Sequence, residues 1–359
     1  MDPIHLKHRI VMAPLTRLRS NNDGVVSDIV KTYYGQRATD GGLIISEATY
    51  TSPTGKGTEG APGICTEEQV EAWKDVTDAV HEKGGKIFLQ LWHCGRVSHS
   101  LIQPKGQLPV SSSAKAAIDI VNKRGAHTKE GRKDFEVPRA LEIDEISKIV
   151  EEYKLAGKNA LHAGFDGVEV HAANGYLLEQ FLCDGVNERS DKYGGSLENR
   201  SRLLLEVLAA VLEEVPSSRL GVRLSPYGHT FGCTDSNPAE IYGYVVRKLC
   251  NLNLAYLHLI EPRGYHHTTP LVPEGGVVKL FRTMYTGVLA AASGFDAEQA
   301  EVVVESGIAD LVAFGRSFIT NPDLVKRLKE KLPLAPSTDS TFFYTGNEKG
   351  YIDYPQRES

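Results

Sequence analysis

The chain has 359 residues, 41% hydrophobic and 24% charged, a composition that suits an ordinary globular protein with a large core. Its formal net charge of -6, with Lys and Arg scattered, gives no electrostatic footprint for a phosphate backbone, so nucleic acid is excluded as a partner. The longest apolar stretches, such as residues 287–293, fall far short of the ~20 residues of a membrane helix, and the start Met1-Asp2-Pro3-Ile4-His5 has no signal-peptide core; the expectation is a cytoplasmic protein with no membrane partner.

Along the chain, short β-branched runs alternate with amphipathic stretches of helical length, the pattern of repeated βα units around a parallel sheet. The first two strands are predicted over residues 9–15 and 42–48. A helix over 67–83, stopped by Gly84-Gly85, leads into a third strand over 86–93. A helix over 144–162, stopped by Gly164, precedes the fourth strand over 167–173. Helices over 199–214 and 238–252 precede strands over 220–226 and 255–261, and a seventh strand covers 287–293. In each helix apolar residues recur at i, i+3 and i+4. A helix over 297–306, a strand over 310–316 and a last helix opened by Asn321-Pro322, cap residue then Pro, complete the series. Eight such units predict an α/β fold, a single (β/α)8 TIM barrel spanning 1–359 as one domain.

Three segments exceed a minimal barrel: residues 95–142 after the third strand, 175–201 after the fourth, and the tail 332–359. Because βα-loops lie at the catalytic face of such barrels, the first two are expected to act as lids or binding loops. The tail is rich in Pro and Ser, yet it holds Phe342-Phe343-Tyr344 and Tyr351-Ile352-Asp353-Tyr354-Pro355, and these aromatics predict that it packs back onto the barrel.

The stretch Gly167-Val168-Glu169-Val170-His171-Ala172-Ala173-Asn174-Gly175-Tyr176 ends the fourth strand, so His171 and Asn174 fall at the rim where barrel active sites are assembled. Each side chain can donate a hydrogen bond toward a common carbonyl oxygen as it gains charge, and Tyr176 can give a proton. A satisfied core histidine beside a turn-forming Asn is the plainer alternative. Strands seven and eight end in Ser293-Gly294 and Gly315-Arg316, where small residues let backbone N–H groups approach a phosphate and an Arg adds a charged fork; two routine turns with a surface Arg are the alternative. Thr16 follows strand one, while Gln90 and Arg223 lie inside strands three and five. A buried Arg or Gln needs a partner, either a bound cofactor or Glu47 or Glu169 within the barrel. The five cysteines form no C-x-x-C pair and His93, His99, His266 and His267 have no recognised ligand spacing, so no metal, cluster or disulfide framework is expected.

With these residues in place the chain resembles the Old Yellow Enzyme family of flavin ene-reductases, within it the 12-oxophytodienoate reductase-like branch. The similarity covers almost the whole chain: Met12-Ala13-Pro14-Leu15-Thr16-Arg17, Ser46-Glu47-Ala48, Gln90-Leu91-Trp92-His93, residues 164–178, Asn187-Glu188-Arg189, Gly221-Val222-Arg223-Leu224-Ser225-Pro226, Phe314-Gly315-Arg316 and the tail Gly350-Tyr351-Ile352-Asp353-Tyr354-Pro355. The resemblance implies non-covalent FMN, reduced by NADPH or NADH, and an α,β-unsaturated carbonyl substrate, an enone or enal, which takes hydride from flavin N5 at its β-carbon and a proton at its α-carbon. It places Pro14, Leu15 and Thr16 under the flavin ring, Ala48, Gln90 and Arg223 around it, and Ser293, Gly294, Gly315 and Arg316 at its phosphate. It makes His171 and Asn174 the carbonyl clamp, Tyr176 the proton donor, Tyr344 an aromatic near the flavin and Arg263 a substrate-facing residue. The resemblance is compatible with a monomer or a homodimer. Family members carry a further strand pair ahead of the segment that here reads His5-Leu6-Lys7-His8-Arg9, so the bottom of the barrel is expected to be less covered, and the loop 265–274 has no counterpart. Two other readings remain open: a flavin-free phosphate-binding barrel lyase or isomerase, which would want a Lys or carboxylate at a strand end, and a non-catalytic flavin-binding protein.

Overall fold

The computed structural model describes residues 4–120, 123–263, 271–337 and 339–356. In chain order the barrel strands and surrounding helices are β1 (Ile10–Met12), α1 (Asp28–Arg37), β2 (Leu43–Ile45), α2 (Glu67–His81), β3 (Lys86–Trp92), α3 (Ile143–His162) and β4 (Gly167–Ala172). They continue as α4 (Leu177–Leu182), α5 (Leu197–Val211), β5 (Leu220–Leu224), α6 (Pro238–Leu249), β6 (Tyr256–Ile260), α7 (Val277–Arg282), β7 (Leu289–Ala292), α8 (Ala297–Glu305), β8 (Leu311–Phe314), α9 (Arg316–Thr320) and α10 (Leu324–Lys329). The strands are hydrogen-bonded in parallel in the order β2-β1-β8-β7-β6-β5-β4-β3, and β3 pairs back onto β2, which closes the ring. This is the (β/α)8 barrel that the alternating pattern predicts.

Closure sorts each strand into two buried faces. Along β4, Val168, Val170 and Ala172 join the shell that packs on the helices, while the alternate residues Glu169 and His171 are left to the interior, as a period of two requires. The lower interior is apolar, built from Val11, Leu43, Ile45, Phe88, Tyr256, Ala290 and Leu311. Room for its two rings comes from glycine: a Cβ on Gly167 would sit 2.5 Å from the Phe88 ring and one on Gly221 2.4 Å from the Tyr256 ring. Ile4 and Leu6 pack against this cluster from below, so the segment ahead of β1 itself closes the floor that the resemblance left thinly covered.

Several local expectations shift. α1 joins the helices with no forecast, and β1 and β2 stop three residues short of the predicted strand ends, at Met12 and Ile45. Strand eight ends at Phe314, and Arg316 opens α9 instead of closing the strand. Asn321-Pro322 does not start a helix. Asn321 donates its side-chain amide to the carbonyls of Ser317 (2.9 Å) and Ala335 and accepts from the Ala335 N–H (2.7 Å), so it ties α9 to the tail, and α10 begins only after Asp323.

The tail does pack back. Arg17 donates to the carbonyls of Phe343 (2.9 Å) and Gly350 (2.6 Å), Arg19 donates to those of Phe342 and Phe343, and the Tyr351 ring stacks on Tyr33 at 4.2 Å. The insertion after β3 forms a small antiparallel ribbon (Ala126–Thr128 with Gly131–Lys133), and Val110–Ser111 pairs with Arg139–Ala140. Among the described residues no helix is long and apolar enough to cross a membrane.

Candidate active site

β4 leaves the barrel at Ala172 and the chain turns sharply into α4. Asn174 (φ 56°) and Gly175 (φ 76°) both take the left-handed conformation, which Asn tolerates and Gly adopts freely. Gly175 is required for space as well, since a Cβ there would lie 2.3 Å from the Thr230 carbonyl oxygen. This turn delivers Tyr176 to the cap of α4 with its ring edge-on to His171 (5.2 Å) and to Trp92 (5.2 Å) and 5.9 Å from Phe231. Ala48 shares the cluster with Trp92 and Tyr176, and Phe135 and Val97 of the β3 insertion wall it from the other side. The insertion therefore borders the site, as a lid would.

The polar atoms here are under-satisfied. His171 Nδ1, Asn174 Oδ1, Trp92 Nε1 and Arg223 Nε are all buried without a hydrogen-bond partner. Native interiors rarely leave such atoms orphaned, so their grouping at one mouth marks a place for a polar ligand. Burial first, then the charges of Arg223 and His258, hold the His171 imidazole well below its ordinary pKa; it is neutral at physiological pH and donates from one nitrogen only.

Below the mouth lies a charged network. Glu169 accepts from Gln90 Nε2 (2.7 Å) and pairs with His258 Nδ1 (2.8 Å), all three buried. Burial pushes the Glu169 carboxyl up, but His258, Arg223 and Gln90 outweigh that and hold it below the ordinary carboxylate range. Gln90 thus takes the partner within the barrel that the sequence left as one of two options, while Arg223 keeps an open Nε beside the same carboxylate. Glu47 is engaged elsewhere, by the N–H groups of Arg17 (3.0 Å) and Leu18.

The second constellation is also assembled at the strand ends. Ser293 (φ 82°) and Gly294 (φ 70°) form a left-handed pair after β7, and a Cβ on Gly315, the cap of α9, would meet only the Leu15 side chain, at 3.4 Å. Pro14, Leu15 and Thr16 are half-buried along the same edge, and Arg316 is exposed at the start of α9. Arg263 does not stand with His171 and Tyr176: its Nε donates to the Ser293 carbonyl (3.0 Å), Ser293 Oγ returns a bond to its carbonyl (2.9 Å), and its guanidinium lies 4.2 Å over Phe295. That sets Arg263 beside the Ser293-Gly294 turn, because the Glu261-Pro262-Arg263 exit from β6 runs alongside the end of β7. Tyr344 is 41% exposed on a tail fixed through the carbonyls around it.

The sequence left Trp92 and Phe231 without a role, and both shape the mouth. Trp92 was legible, two residues beyond Gln90 on the same strand face; Phe231 sits in an irregular loop with no periodic signal. His93, weighed for a metal, has its Nδ1 accepting the Gly95 N–H (3.1 Å), and burial lowers it to about 3. Residues 265–270, with His266 and His267, lie outside the described residues. All five cysteines are free thiols, and among the described residues no three His, Cys, Asp or Glu side chains gather as a ligand set.

The barrel and the turns at its strand ends define an α/β-barrel enzyme whose candidate site lies on the face where the strands end. The profile of the NADH:flavin oxidoreductase / NADH oxidase family matches residues 1–335. The chain is 45% identical over 356 residues to 12-oxophytodienoate reductase 1 of Oryza sativa subsp. japonica, covering 99% of this chain and 91% of that one. It is 43% identical over 359 residues to 12-oxophytodienoate reductase 2 of Arabidopsis thaliana, covering 100% and 94%. Morphinone reductase superposes with a TM-score of 0.91 at 46% identity, covering 98% of this chain and 93% of that one. The Old Yellow Enzyme homologue from Zymomonas mobilis gives 0.91 at 42%, covering 99% and 98%. The chain belongs to this family, the Old Yellow Enzyme oxidoreductases, which use a flavin and a nicotinamide reductant on small molecules.

Proposed function

We propose that the protein is an FMN-dependent ene-reductase that reduces the C=C bond of α,β-unsaturated carbonyl compounds, enones or enals, with NADPH or NADH as reductant. The observation that carries this reading is the rim turn of β4, where His171, Asn174 and Tyr176 converge with orphaned polar atoms over the Gln90–Glu169–Arg223 layer. The residues fit FMN: Arg223 offers an open Nε at the mouth, and the Ser293-Gly294 turn, Gly315 and Arg316 offer a backbone-and-guanidinium seat for one phosphate. Bound there, FMN supplies the hydride. Pro14, Leu15, Thr16, Ala48 and Gln90 would line its ring, and Arg263, through Ser293, would brace the phosphate turn.

The chain's own part is polarisation and protonation. His171 and Asn174 hold the substrate carbonyl, so charge drawn onto that oxygen makes the β-carbon electrophilic, and Tyr176 keeps a proton ready for the α-carbon. Val97 and Phe135 of the β3 insertion and Phe231 of the loop after β5 exclude water from the reacting carbons. A nicotinamide can use the same seat in the first half-reaction; morphinone reductase has been solved in complex with tetrahydroNAD. Family membership removes the flavin-free lyase reading, and enone turnover by the reduced protein would decide against the storage reading.

Two experiments test this. Acid release from the purified protein should yield FMN alone, because the G-x-G-x-x-G at residues 55–60 lies in a loop and opens no helix, as a dinucleotide-binding turn must; anaerobic addition of NADPH or NADH should bleach it and cyclohexenone restore it. Recovery of FAD, or no reoxidation by enones, sinks the proposal. Phenol, whose oxygen mimics the developing oxyanion, should bind the oxidised protein and shift its spectrum. His171→Ala or Asn174→Ala should each weaken that binding by about 1.5–3 kcal/mol, the worth of a charge-assisted hydrogen bond. The double variant should lose less than the sum, since both donors serve one oxygen; strictly additive losses would assign them separate roles.

A further inference from the structure

The turn that presents Asn174 is itself held from behind by a buried carboxylate. Glu179, one turn into α4, accepts from the Gly175 N–H (2.5 Å), from Ser225 Oγ (2.5 Å) and from Tyr242 Oη (2.6 Å). Ser225 Oγ in turn accepts the Asn174 N–H (2.8 Å). One carboxylate therefore anchors both left-handed residues of the turn, Gly175 directly and Asn174 through a hydroxyl whose hydrogen it fixes. Because Ser225 must donate toward Glu179, its lone pair is turned to Asn174, and the relay has one orientation.

We propose that Glu179 is a positioning residue for the carbonyl clamp: as a carboxylate it locks the Asn174–Gly175 turn through Ser225, and on gaining a proton it releases that lock and weakens substrate-carbonyl binding. This rests on the assignment of His171 and Asn174 as the clamp. Protonation has this effect because an acidic O–H surrounded by donors can be accepted only by a hydroxyl. Where Ser225 accepts it, that hydroxyl must turn its own hydrogen away and the fixed relay to Asn174 is lost; where Tyr242 accepts it, the neutral carboxyl holds Ser225 and Gly175 only by weaker, uncharged bonds.

The switch falls in an accessible range. Burial, opposed by the bonds from Ser225, Tyr242 and Gly175, raises Glu179 to about 7. The charged and titratable groups that face it come from several elements. Tyr242 from α6 is pushed well above its ordinary range by burial and by Cys183 and Glu179, and Cys183 by Cys233 and then burial. From the loop after β5 come Cys233, whose thiol donates to the Glu179 carbonyl (3.5 Å), and Asp235, which is ion-paired with Arg200 of α5. Arg96 from the β3 insertion donates to the Phe231 carbonyl (3.0 Å), and His171 is held neutral.

The test is phenol affinity of the flavin-loaded protein from pH 6 to pH 8, read from the flavin spectrum; phenol ionises near 10 and stays neutral throughout. Wild type should bind roughly tenfold more tightly at pH 8 than at pH 6, with a midpoint near neutrality. Glu179→Gln should bind with a flat pH profile at about the weaker level while FMN retention is unchanged, and Ser225→Ala should weaken binding chiefly at pH 8. Tyr242→Phe removes one donor to the carboxylate and should move the midpoint to higher pH, a shift that a merely structural contact would not produce, and it keeps the test alive if the Gln variant does not fold. A flat wild-type profile, or a Tyr242→Phe midpoint that stays put, overturns the proposal. A wild type that binds phenol at no pH, or retains no FMN, removes the clamp reading beneath it instead.

Discussion

Tyr176→Phe should leave flavin reduction by NADPH near its wild-type rate and slow reoxidation by cyclohexenone by a factor of about 10² to 10⁴, the usual contribution of a positioned acid. The substitution keeps the ring that packs on His171, Trp92 and Phe231, so the wall of the site survives and only the hydroxyl is lost. Oxygen or a quinone needs no proton on carbon, and reoxidation by either should persist. Stopped-flow measurement of the two half-reactions with both kinds of acceptor separates a proton-transfer defect from general damage. Wild-type enone reduction in the Phe variant would assign the proton to solvent or to a group in the 95–142 insertion.

What could be seen in the sequence was whatever a repeating period carries. β4 shows this well: apolar Val168, Val170 and Ala172 read as a strand, and the misfit residues between them, Glu169 and His171, are the interior ones. α3, with twenty residues and a long apolar stripe, was equally plain. α1 was not, although its buried positions 30, 33, 34 and 37 have helical spacing, because the last of them is Arg37. That residue is buried by donating to carbonyls that include those of Phe318 and Ile319, nearly three hundred positions away. α4, α7 and α9 are too short for periodicity to register.

The candidate site divides the same way. His171, Asn174 and Tyr176 lie in one continuous stretch and come together as a continuous stretch must. Arg263 and Tyr344 were placed by resemblance alone, and their positions depend on how the β6 exit and the tail settle. The supports behind the rim residues were not legible: Ser225 and Tyr242 reach Glu179 from 46 and 63 positions away, a distance at which no local pattern exists.

Glu169 provides the largest expected stability effect. It is the carboxylate beside Arg223 inside the barrel, and Glu169→Ala would leave that guanidinium buried with neither a counter-charge nor, at Nε, a hydrogen bond. Removing one partner of a buried pair, here the carboxylate paired with His258 at 2.8 Å, costs about 3–5 kcal/mol, and the nearby Arg223 charge is stranded with it. Urea unfolding of the flavin-free protein at pH 7, where no bound anion can stand in, should show this loss. Gln90 and His258 lose their acceptor as well, so the effect belongs at the upper end. The pH dependence has a definite sign. The folded carboxyl titrates below its unfolded value of about 4.5, so its contribution is fully present above that pH and disappears as pH falls through the depressed folded value. The gap between wild type and variant should therefore be widest near neutrality and narrow in acid, below the ordinary carboxylate range. Glu169→Gln keeps the shape and the bond to one neighbour but not the charge, and should fall between the two. If the Ala variant loses less than about 1 kcal/mol at pH 7, a surface-like value, Arg223 is open to water in the flavin-free protein and the network beneath the mouth is not its counter-charge.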